Sequence, residues 1–485
     1  MINQRQRTVL IIGLALLLAA CLPQEPIYIY ITPTPEPGTP VPTVEATEAL
    51  TVLVLSDNPA PTPTPTSASV SSPGDPTPTV LGAVFEPGYT LPPTSTPSAT
   101  SAPTIGPSAT PHGPTSTPLP GLDPNLMGIQ LDPTLNQDDW NLAMQDIRRL
   151  GVKWLKVQVA WAMLQPNGAD EISEDFRRLE IYLETASNDG LNILVSVAKA
   201  PAWARDTQAE DGPPRDPNAL AAFMSLMLRE FGTAVDAVEV WNEPNLQREW
   251  QGKPMNGGEY MNLFRPAYEA IRRYSADITI ITAGLAPTGD NTGSVDDRTY
   301  LQQMYNAGLA SYGDVAVGIH PYGWGNAPDA RCCDLNPEPG WDDDPHFFFL
   351  NNLEDYRALM VNNGHASARL WATEFGWATW ADLPGSAPER WMESDYVDEC
   401  QQGDYIVRAF KFAQEQDYIG PMILWNLNFG MLAGLVESGD ERAGYSLIIP
   451  RGIRERAAYW MLYDAISTDI PQLESYSVCP GSGGE

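Results

Sequence analysis

From about Gly121 onward, short apolar runs alternate along the chain with segments whose apolar residues recur at helical spacing. Eight of the short runs are predicted as strands: LMGIQL, VKWLKVQVAW, LNILVSVA, AVEVW, ITIITAG, VAVGIH, RLWATEF and MILWNL. Strands that are apolar along their whole length are typical of a parallel sheet covered by helices on both faces. Eight such units in roughly 350 residues favour a (β/α)8 barrel. The alternative is a doubly wound open sheet, but no G-x-G-x-x-G motif follows the first strand.

Three of the intervening segments carry the end signals of helices. They are DDWNLAMQDIRRLG (Asp138–Gly151), SEDFRRLEIYLETASNDG (Ser173–Gly190) and PNALAAFMSLMLREFG (Pro217–Gly232). Ser173 and Pro217 stand where helices begin, and each segment closes on a glycine, which commonly follows the last helical residue. The sequence therefore predicts helices between the strands, and we assign residues 121–470 to one barrel domain.

The first twenty residues have the pattern of an export signal. Arg5 and Arg7 precede the apolar run Val9–Ala20, which is shorter than the roughly 20 residues of a membrane-spanning helix. The run ends in LAAC, which resembles the bacterial lipobox, where cleavage precedes a cysteine that receives a lipid. We expect residues 1–20 to be a lipoprotein signal peptide and Cys21 to be lipidated, with an ordinary secretory signal as the alternative. The protein would then be extracellular, anchored to the cell envelope, and in contact with a membrane only through the lipid on Cys21.

The composition changes completely in residues 21–120. Tracts such as PTPTPTSASVSSPGDPTPT have no helical or strand period, and no Lys or Arg occurs between Arg7 and Arg148. Such a segment buries too little apolar surface to offset the entropy of ordering it, so it is predicted to be a disordered stalk. Residues 471–485 are predicted to be a short C-terminal tail.

The charge balance and the remaining cysteines limit the possible partners. The chain has 28 Lys and Arg against 61 Asp and Glu, a net charge of −33, so we expect no nucleic acid partner. Outside Cys21 there are four cysteines: Cys332, Cys333, Cys400 and Cys479. Their pairing is open; a bridge from the adjacent pair to Cys400 would join two long loops, and the spacing argues against zinc.

Two glutamates lie where the predicted barrel would place catalytic groups. Glu243 follows the fourth strand in WNEPN, and Glu374 lies at the end of the seventh strand in TEFGW. The carboxyl ends of all strands open onto one mouth of a (β/α)8 barrel, so both side chains are predicted to face the same cavity. Two carboxylic groups across a cavity are the equipment for cleaving a glycosidic bond. One protonates the leaving oxygen, and the other attacks the anomeric carbon.

WNEPN and TEFGW, on these strands, resemble the motifs of clan A glycoside hydrolases, especially family 39 and the cellulase-like enzymes of family 5. The likeness extends from about Gly121 to Asp469. It implies a retaining β-glycosidase that acts on polysaccharides or oligosaccharides without a cofactor. Glu243 would be the acid/base, held protonated, and Glu374 the ionised nucleophile. Their carboxyl groups would lie about 5–5.5 Å apart.

The same resemblance implies roles for further residues. Asn242 is expected to hold the 2-hydroxyl of the sugar, and His320 and Tyr322 in GIHPYGW are expected beside the nucleophile. Trp425 in ILWNLNFG matches the tryptophan that commonly floors the sugar subsite in this clan. Lys156 marks a departure, because an arginine commonly supports the nucleophile from the second strand.

Tryptophans near strand ends are candidates for contact with sugar faces. We assign Trp161 and Trp377 to the substrate, and packing of long loops is the alternative role for about half of such rings. Glu239 shares strand parity with the candidate acid/base, so it is predicted to point the same way. A buried charge of this kind needs a partner, and Lys156 and Lys199 are the candidates.

Two other functions are compatible with these residues. A catalytically silent carbohydrate-binding lipoprotein would keep the barrel as a scaffold, because fold alone does not determine function, yet it has no need of both glutamates. A transglycosylase would use the same pair with a sugar as acceptor. The acidic loop that contains Asp342, Asp343, Asp344 and His346 offers oxygens to calcium, although such runs are usually solvated, and we expect no metal.

Overall fold

Eight parallel strands close into one barrel in sequence order, which confirms the predicted (β/α)8 fold. Each strand pairs with the next along the chain, and the last pairs with the first. The open doubly wound sheet is therefore wrong. The strands are β1 Met127–Leu131, β2 Trp154–Ala160, β3 Asn192–Ala198, β4 Ala237–Val240, β5 Thr279–Thr282, β6 Val315–Ile319, β7 Leu370–Phe375 and β8 Ile419–Leu424.

The computed structural model describes residues 121–207, 211–333, 344–384, 387–388, 397–450, 455–467 and 479. The predicted signal peptide, Cys21, the predicted stalk and the predicted tail apart from Cys479 lie outside the described residues. Asp342 and Asp343 of the acidic loop also lie outside them.

Helices connect the strands and surround the barrel. They are α1 Gln137–Leu150, α2 Trp161–Leu164, α3 Glu174–Asn188, α4 Pro217–Phe231, α5 Gly257–Tyr274, α6 Asp297–Asn306, α7 Phe349–Asn362, α8 Glu399–Gln414, α9 Ala433–Glu437 and α10 Ala457–Ile466. The last of these, α10, packs against both α8 and α1 and so closes the outer ring. Among the helices described, none is both long and apolar enough to cross a membrane.

The predicted end signals of three helices are confirmed. Ser173 caps α3, where its side chain accepts a hydrogen bond from the backbone N–H of Phe176. Pro217 is the first residue of α4, a position that needs no backbone donor. Gly151 ends α1 with φ 92°, a left-handed conformation that glycine adopts without steric cost.

The interior of the barrel has two layers. The lower layer, toward the amino ends of the strands, is an apolar cluster of Trp154, Leu194, Ala237, Ile281, Ala316, Trp371 and Ile423. The upper layer lies two residues further along three of these strands and consists of Lys156, Glu239 and Thr373, all fully buried. Side chains two residues apart on a strand share a face, so the same strands supply both layers. Residues of the other parity, such as Leu155, Ile193 and Val238, belong to the main core between strands and helices.

Two disulfides link the four cysteines of the barrel domain and the tail. Cys400 is bonded to Cys479, and Cys332 is bonded to Cys333. Of the pairings that the sequence left open, the bridge from the adjacent pair to Cys400 is therefore not the one formed. Cys400 lies in the first turn of α8, and its Cα is 5.5 Å from that of Cys479, within the range that a disulfide requires. The bond ties the C-terminal segment to α8.

Candidate active site

The carboxyl ends of the strands bring together the residues that the motifs singled out. Glu243 follows β4, Glu374 lies in β7, His320 and Tyr322 follow β6, and Trp425 follows β8. All strands run in the same direction, so these ends meet at one mouth although the residues are far apart in sequence. Glu243 and Glu374 are largely buried there, with 8% and 5% of their surfaces exposed.

His320 lies between the two glutamates. Its Nδ1 is 3.1 Å from Oε1 of Glu243 and 3.8 Å from Oε2 of Glu374. Burial opposes a charge on the ring, but the negative charge of Glu374, the hydrogen bond with Glu243 and the carboxylate of Glu239, whose Oε1 lies 3.8 Å from Nε2, raise the pKa of His320 to about 9. Gly284 makes room for the ring, because a Cβ there would lie 2.3 Å from it. One protonated imidazole thus contacts both carboxylates.

Three other elements hold Glu374. Lys156 of β2 donates from Nζ to Oε1 at 2.9 Å, and the hydroxyl of Tyr322 donates to Oε2 at 3.1 Å. The side chain of Gln130 in β1 lies between Glu374 and Trp425. With its nitrogen toward Glu374, it donates to Oε1 at 3.3 Å and accepts from the indole N–H at 3.3 Å. The carboxylate therefore has a fixed orientation.

The ammonium group of Lys156 joins the candidate site to the upper layer. Its Nζ lies 2.9 Å from Glu374 Oε1, 3.1 Å from Glu239 Oε2 and 3.0 Å from the carbonyl oxygen of Thr373. The contacts with Glu374 and Thr373 are hydrogen bonds, and the contact with Glu239 is an ion pair. Burial opposes the charge, but the two glutamates outweigh it and raise the pKa of Lys156.

Glu239 is a third carboxylate beneath the site. Its Oε1 accepts hydrogen bonds from the hydroxyl of Thr373 at 2.6 Å and from the backbone N–H of Gly284 at 2.9 Å. Burial opposes ionisation, but the charge of Lys156 holds the pKa of Glu239 well below its ordinary value. Lys156 is therefore its partner; Lys199, the other candidate, pairs with an aspartate at 3.1 Å instead.

Glu243 is ionised in this arrangement, which corrects the expectation of a protonated acid. Its Oε2 accepts from NH2 of Arg248 at 2.8 Å, and its Oε1 faces His320. Burial favours the neutral form, but the hydrogen bond with His320 and the charge of Arg248 outweigh it and lower the pKa of Glu243 to about 2. The sequence analysis missed Arg248. The sequence feature that could have indicated Arg248 is the presence of a cation in the turn that follows WNEPN.

The backbone that presents Glu243 is strained. Trp241 and Glu243 have φ values of 80° and 38°, which residues other than glycine rarely adopt. The turn is fixed by its neighbours: the N–H of Glu243 donates to the carbonyl of Gly284, and the side-chain amide of Asn245 bonds both backbone groups of Ala286. Strain of this kind persists where the surroundings determine the conformation, and it is concentrated at functional sites.

An acceptor and an aromatic wall border the glutamates. Oδ1 of Asn242 is buried and accepts no hydrogen bond from the described part of the chain. The half-buried ring of Trp425 packs on Tyr322 and Tyr445, with ring centroids 5.9 Å and 5.1 Å apart. Trp324 belongs to the same aromatic cluster. The sequence analysis did not single out Tyr445, because it lies at the end of a short 3-10 helix well beyond the last strand.

Trp161 and Trp377, which we assigned to the substrate, lie in the core. Their exposed fractions are 0% and 1%. Trp161 stacks on Phe223 and donates from its indole to Gln165, while the indole of Trp377 donates to the carbonyl of Asn326. Neither ring has surface with which to contact a sugar, so packing, the alternative role, accounts for both.

One group of side chains has the donor types of a cation site. Oxygens of Asp296 and Asp297 and a nitrogen of His346 converge to within 4.8 Å of one another. His346 also contacts Asp344, and burial of the ring is outweighed by Asp296 and Asp344, which raise the pKa of His346 to about 9. Arg298 lies 2.8 Å from Asp297. The protonated histidine and the arginine already neutralise these carboxylates.

Comparisons with known proteins found similar solved structures. No family model matches the chain, and no curated protein matches it. It is similar to a solved family 39 glycoside hydrolase from the gut symbiont Bacteroides cellulosilyticus WH2, with 17% identity and a TM-score of 0.53, over 72% of this chain and 66% of that one. A glucosidase from Croceicoccus marinus has 12% identity and a TM-score of 0.49, over 70% and 67% of the two chains. At 17% identity the likeness to the family 39 enzyme shows a shared barrel fold, and the chain spans less than two thirds of that relative.

Proposed function

We propose that this protein is a retaining glycoside hydrolase that cleaves β-linked polysaccharides or oligosaccharides. The observation that carries the proposal is the position of Glu243 and Glu374 on the same nitrogen of His320, at the mouth of the barrel. Enzymes with this fold have their active sites at this end. The solved family 39 glycoside hydrolase has the same fold, which supports the reaction class.

In the first half of the proposed reaction, Glu374 attacks the anomeric carbon and the bond to the leaving oxygen breaks. That oxygen takes a proton from Glu243, and a covalent glycosyl ester remains on Glu374. In the second half, Glu243 accepts a proton from water, whose oxygen displaces Glu374 with net retention. Lys156 and Tyr322 orient Glu374 for attack, since each donates to one of its oxygens.

The proton for the leaving oxygen has a local source. Glu243 is ionised in the free protein, and the protonated ring of His320 is its hydrogen-bond neighbour at 3.1 Å. We assign His320 as the group that passes a proton to Glu243, which then delivers it to the leaving oxygen. The proton that Glu243 takes from water in the second half passes back to Nδ1 of His320, which restores the ionised Glu243 and the protonated ring.

The surroundings supply sugar contacts. Oδ1 of Asn242, which has no partner among the described residues, is available to accept from the 2-hydroxyl of the sugar. The partly buried Trp425 offers a ring face to the apolar C–H patches of a sugar, and the buried Tyr445 packs against it. We also propose that the protein acts outside the cell, held at the envelope by a lipid on Cys21 and the stalk of residues 21–120.

The test is incubation of the full-length protein with a panel of β-linked glycans, beside Glu243→Gln and Glu374→Gln. We expect reducing ends from the wild type and a loss of about 10²-fold or more in each variant. Nuclear magnetic resonance of the first product should show the retained anomer. Glu184→Gln, an exposed position on α3, is the matched control and should behave as the wild type.

Three other outcomes would contradict the proposed function. Glycan binding without cleavage, unchanged in both variants, would support the silent binding lipoprotein. Products in which sugar replaces water as acceptor would support a transglycosylase. An inverted anomer would contradict the retaining mechanism and the role of Glu374 as nucleophile.

A further inference from the structure

Arg248 lies between two carboxyl groups of its own loop. Its NH2 donates to Glu243 at 2.8 Å, while its Nε is 3.8 Å from Oε1 of Glu249, too far for a hydrogen bond. The Nε of Arg248 and the Oε2 of Glu249 are both buried, and neither has a hydrogen-bond partner among the described residues. Buried polar atoms without partners cost free energy. A donor and an acceptor in adjacent side chains are thus left unsatisfied beside each other.

We propose that Arg248 is a positioning residue that exchanges between two partners, keeping Glu243 ionised in one position and releasing it to take a proton in the other. The second partner is Glu249. This inference rests on the proposed function, because it assigns Arg248 a part in the acid/base role of Glu243.

Glu249 has the burial and the charge needed to form an alternative ion pair with Arg248. Its side chain is 12% exposed. Burial raises the pKa of Glu249 to about 7, although Lys199 and Arg248 oppose this rise. A planar guanidinium can face a carboxylate with two parallel hydrogen bonds. If Arg248 turns to Glu249, the unsatisfied Nε and Oε2 can both be paired, while Glu243 loses its closest cation. One ion pair is exchanged for another, which is the requirement for two states of similar free energy.

Charged groups from three neighbouring segments face Arg248, Glu249 and Glu243. Lys199 and Asp211, after β3, act on Glu249 with opposite signs and pair with each other at 3.1 Å. Glu441, after β8, attracts Arg248, and His320, after β6, remains the partner of Glu243 in either position. The moving charge is therefore that of Arg248.

The exchange matches the needs of a two-step reaction. A retaining hydrolase needs its acid/base protonated in the first half and ionised in the second. Arg248 against Glu243 suits the second half, and Arg248 against Glu249 suits the first. The contact in the free protein therefore represents one of two working states.

The first test measures ionisation directly and needs no substrate. The full-length protein is labelled with ¹³C at glutamate carboxyls, and the Glu243 signal is identified by its absence in Glu243→Gln. We expect Arg248→Gln to raise the titration midpoint of Glu243 by about one to three pH units, because a cation this close lowers a carboxyl pKa by that amount. Arg248→Lys, which keeps the charge, should recover most of the low midpoint. Arg229→Gln, on the exposed outer face of α4, is the matched control and should have the wild-type midpoint.

The second test locates the arginine. In a crystal structure of Glu243→Gln we expect the guanidinium of Arg248 to face Glu249, because the first partner has lost its charge. An Arg248→Gln protein with the wild-type midpoint of Glu243, or an Arg248 that stays at position 243 in Glu243→Gln, would overturn the inference.

Kinetics separate this inference from the proposed function. With a glycan cleaved in the panel, Arg248→Gln should move the basic limb of the kcat/KM profile to higher pH. Glu249→Gln should lose activity at neutral pH, because Arg248 has no second partner. A wild-type pH profile in Arg248→Gln, with cleavage still lost in Glu243→Gln, would refute the role of Arg248 alone. Cleavage that survives in Glu243→Gln would refute the proposed function.

Discussion

The two layers inside the barrel come from the same strands but differ completely in chemistry. In the lower layer, Trp154 and Trp371 meet edge to face at 5.0 Å between ring centroids, and no member carries a charge. Two positions further along, Lys156 and Glu239 are buried as completely. Burying apolar surface stabilises the fold, whereas burying charges costs free energy that pairing only partly offsets. The difference indicates that the lower layer maintains the barrel and the upper layer serves the site above it.

The largest expected effect comes from breaking the upper layer. Lys156→Met leaves Glu239 and Glu374 without their shared cation, so we expect a loss of about 3–5 kcal/mol in the free energy of unfolding. Urea denaturation at neutral pH measures this loss. The double variant Lys156→Met with Glu239→Gln removes a charge of each sign and should be more stable than the single variant. A single variant as stable as the wild type would show that the ion pairs contribute nothing.

The second expected effect is a pH dependence of the free energy of unfolding that comes from the site and not from the lower layer. The pKa of His320 is raised to about 9 in the folded protein from about 6.5 in an unfolded chain. Its contribution is therefore complete below pH 6.5 and is lost as the pH rises through 9, on the order of 3 kcal/mol. The lower layer has no group that titrates. Urea denaturation from pH 6 to 9.5 should give a flatter profile for His320→Gln than for the wild type, and parallel profiles would contradict this assignment.

The smallest effect comes from the lower layer. Ile423→Val removes one methylene from a fully buried side chain, which should cost about 0.5–1.5 kcal/mol. We expect no change in glycan cleavage, because Ile423 contacts the apolar cluster and not the carboxylates. Thermal unfolding and the panel assay measure the two quantities on the same preparation. A loss of activity comparable with that of Lys156→Met would mean that the layers do not act separately.

Much of the fold was predictable because it depends on local periodicity. The eight apolar runs and the three helix segments lie where the pattern puts them, and strand order alone brings Glu243 and Glu374 to one mouth. Burial of individual rings was not predictable. Trp161 and Trp377 also lie near strand ends, but they are buried against helix side chains, Phe223 for Trp161 and Phe349 for Trp377. The pairing of Cys400 with Cys479 depends likewise on where the C-terminal segment returns.

The sequence by itself determined the barrel, the order of its strands along the chain and the two candidate carboxylates, because side-chain parity and chain direction are local properties. Only the tertiary structure decided the charge state of Glu243. That state depends on a guanidinium at 2.8 Å from the same loop and an imidazole at 3.1 Å from another strand end. Electrostatic interactions fall with distance in space and not with separation along the chain, so only the folded barrel sets the proton occupancy of its own candidate acid.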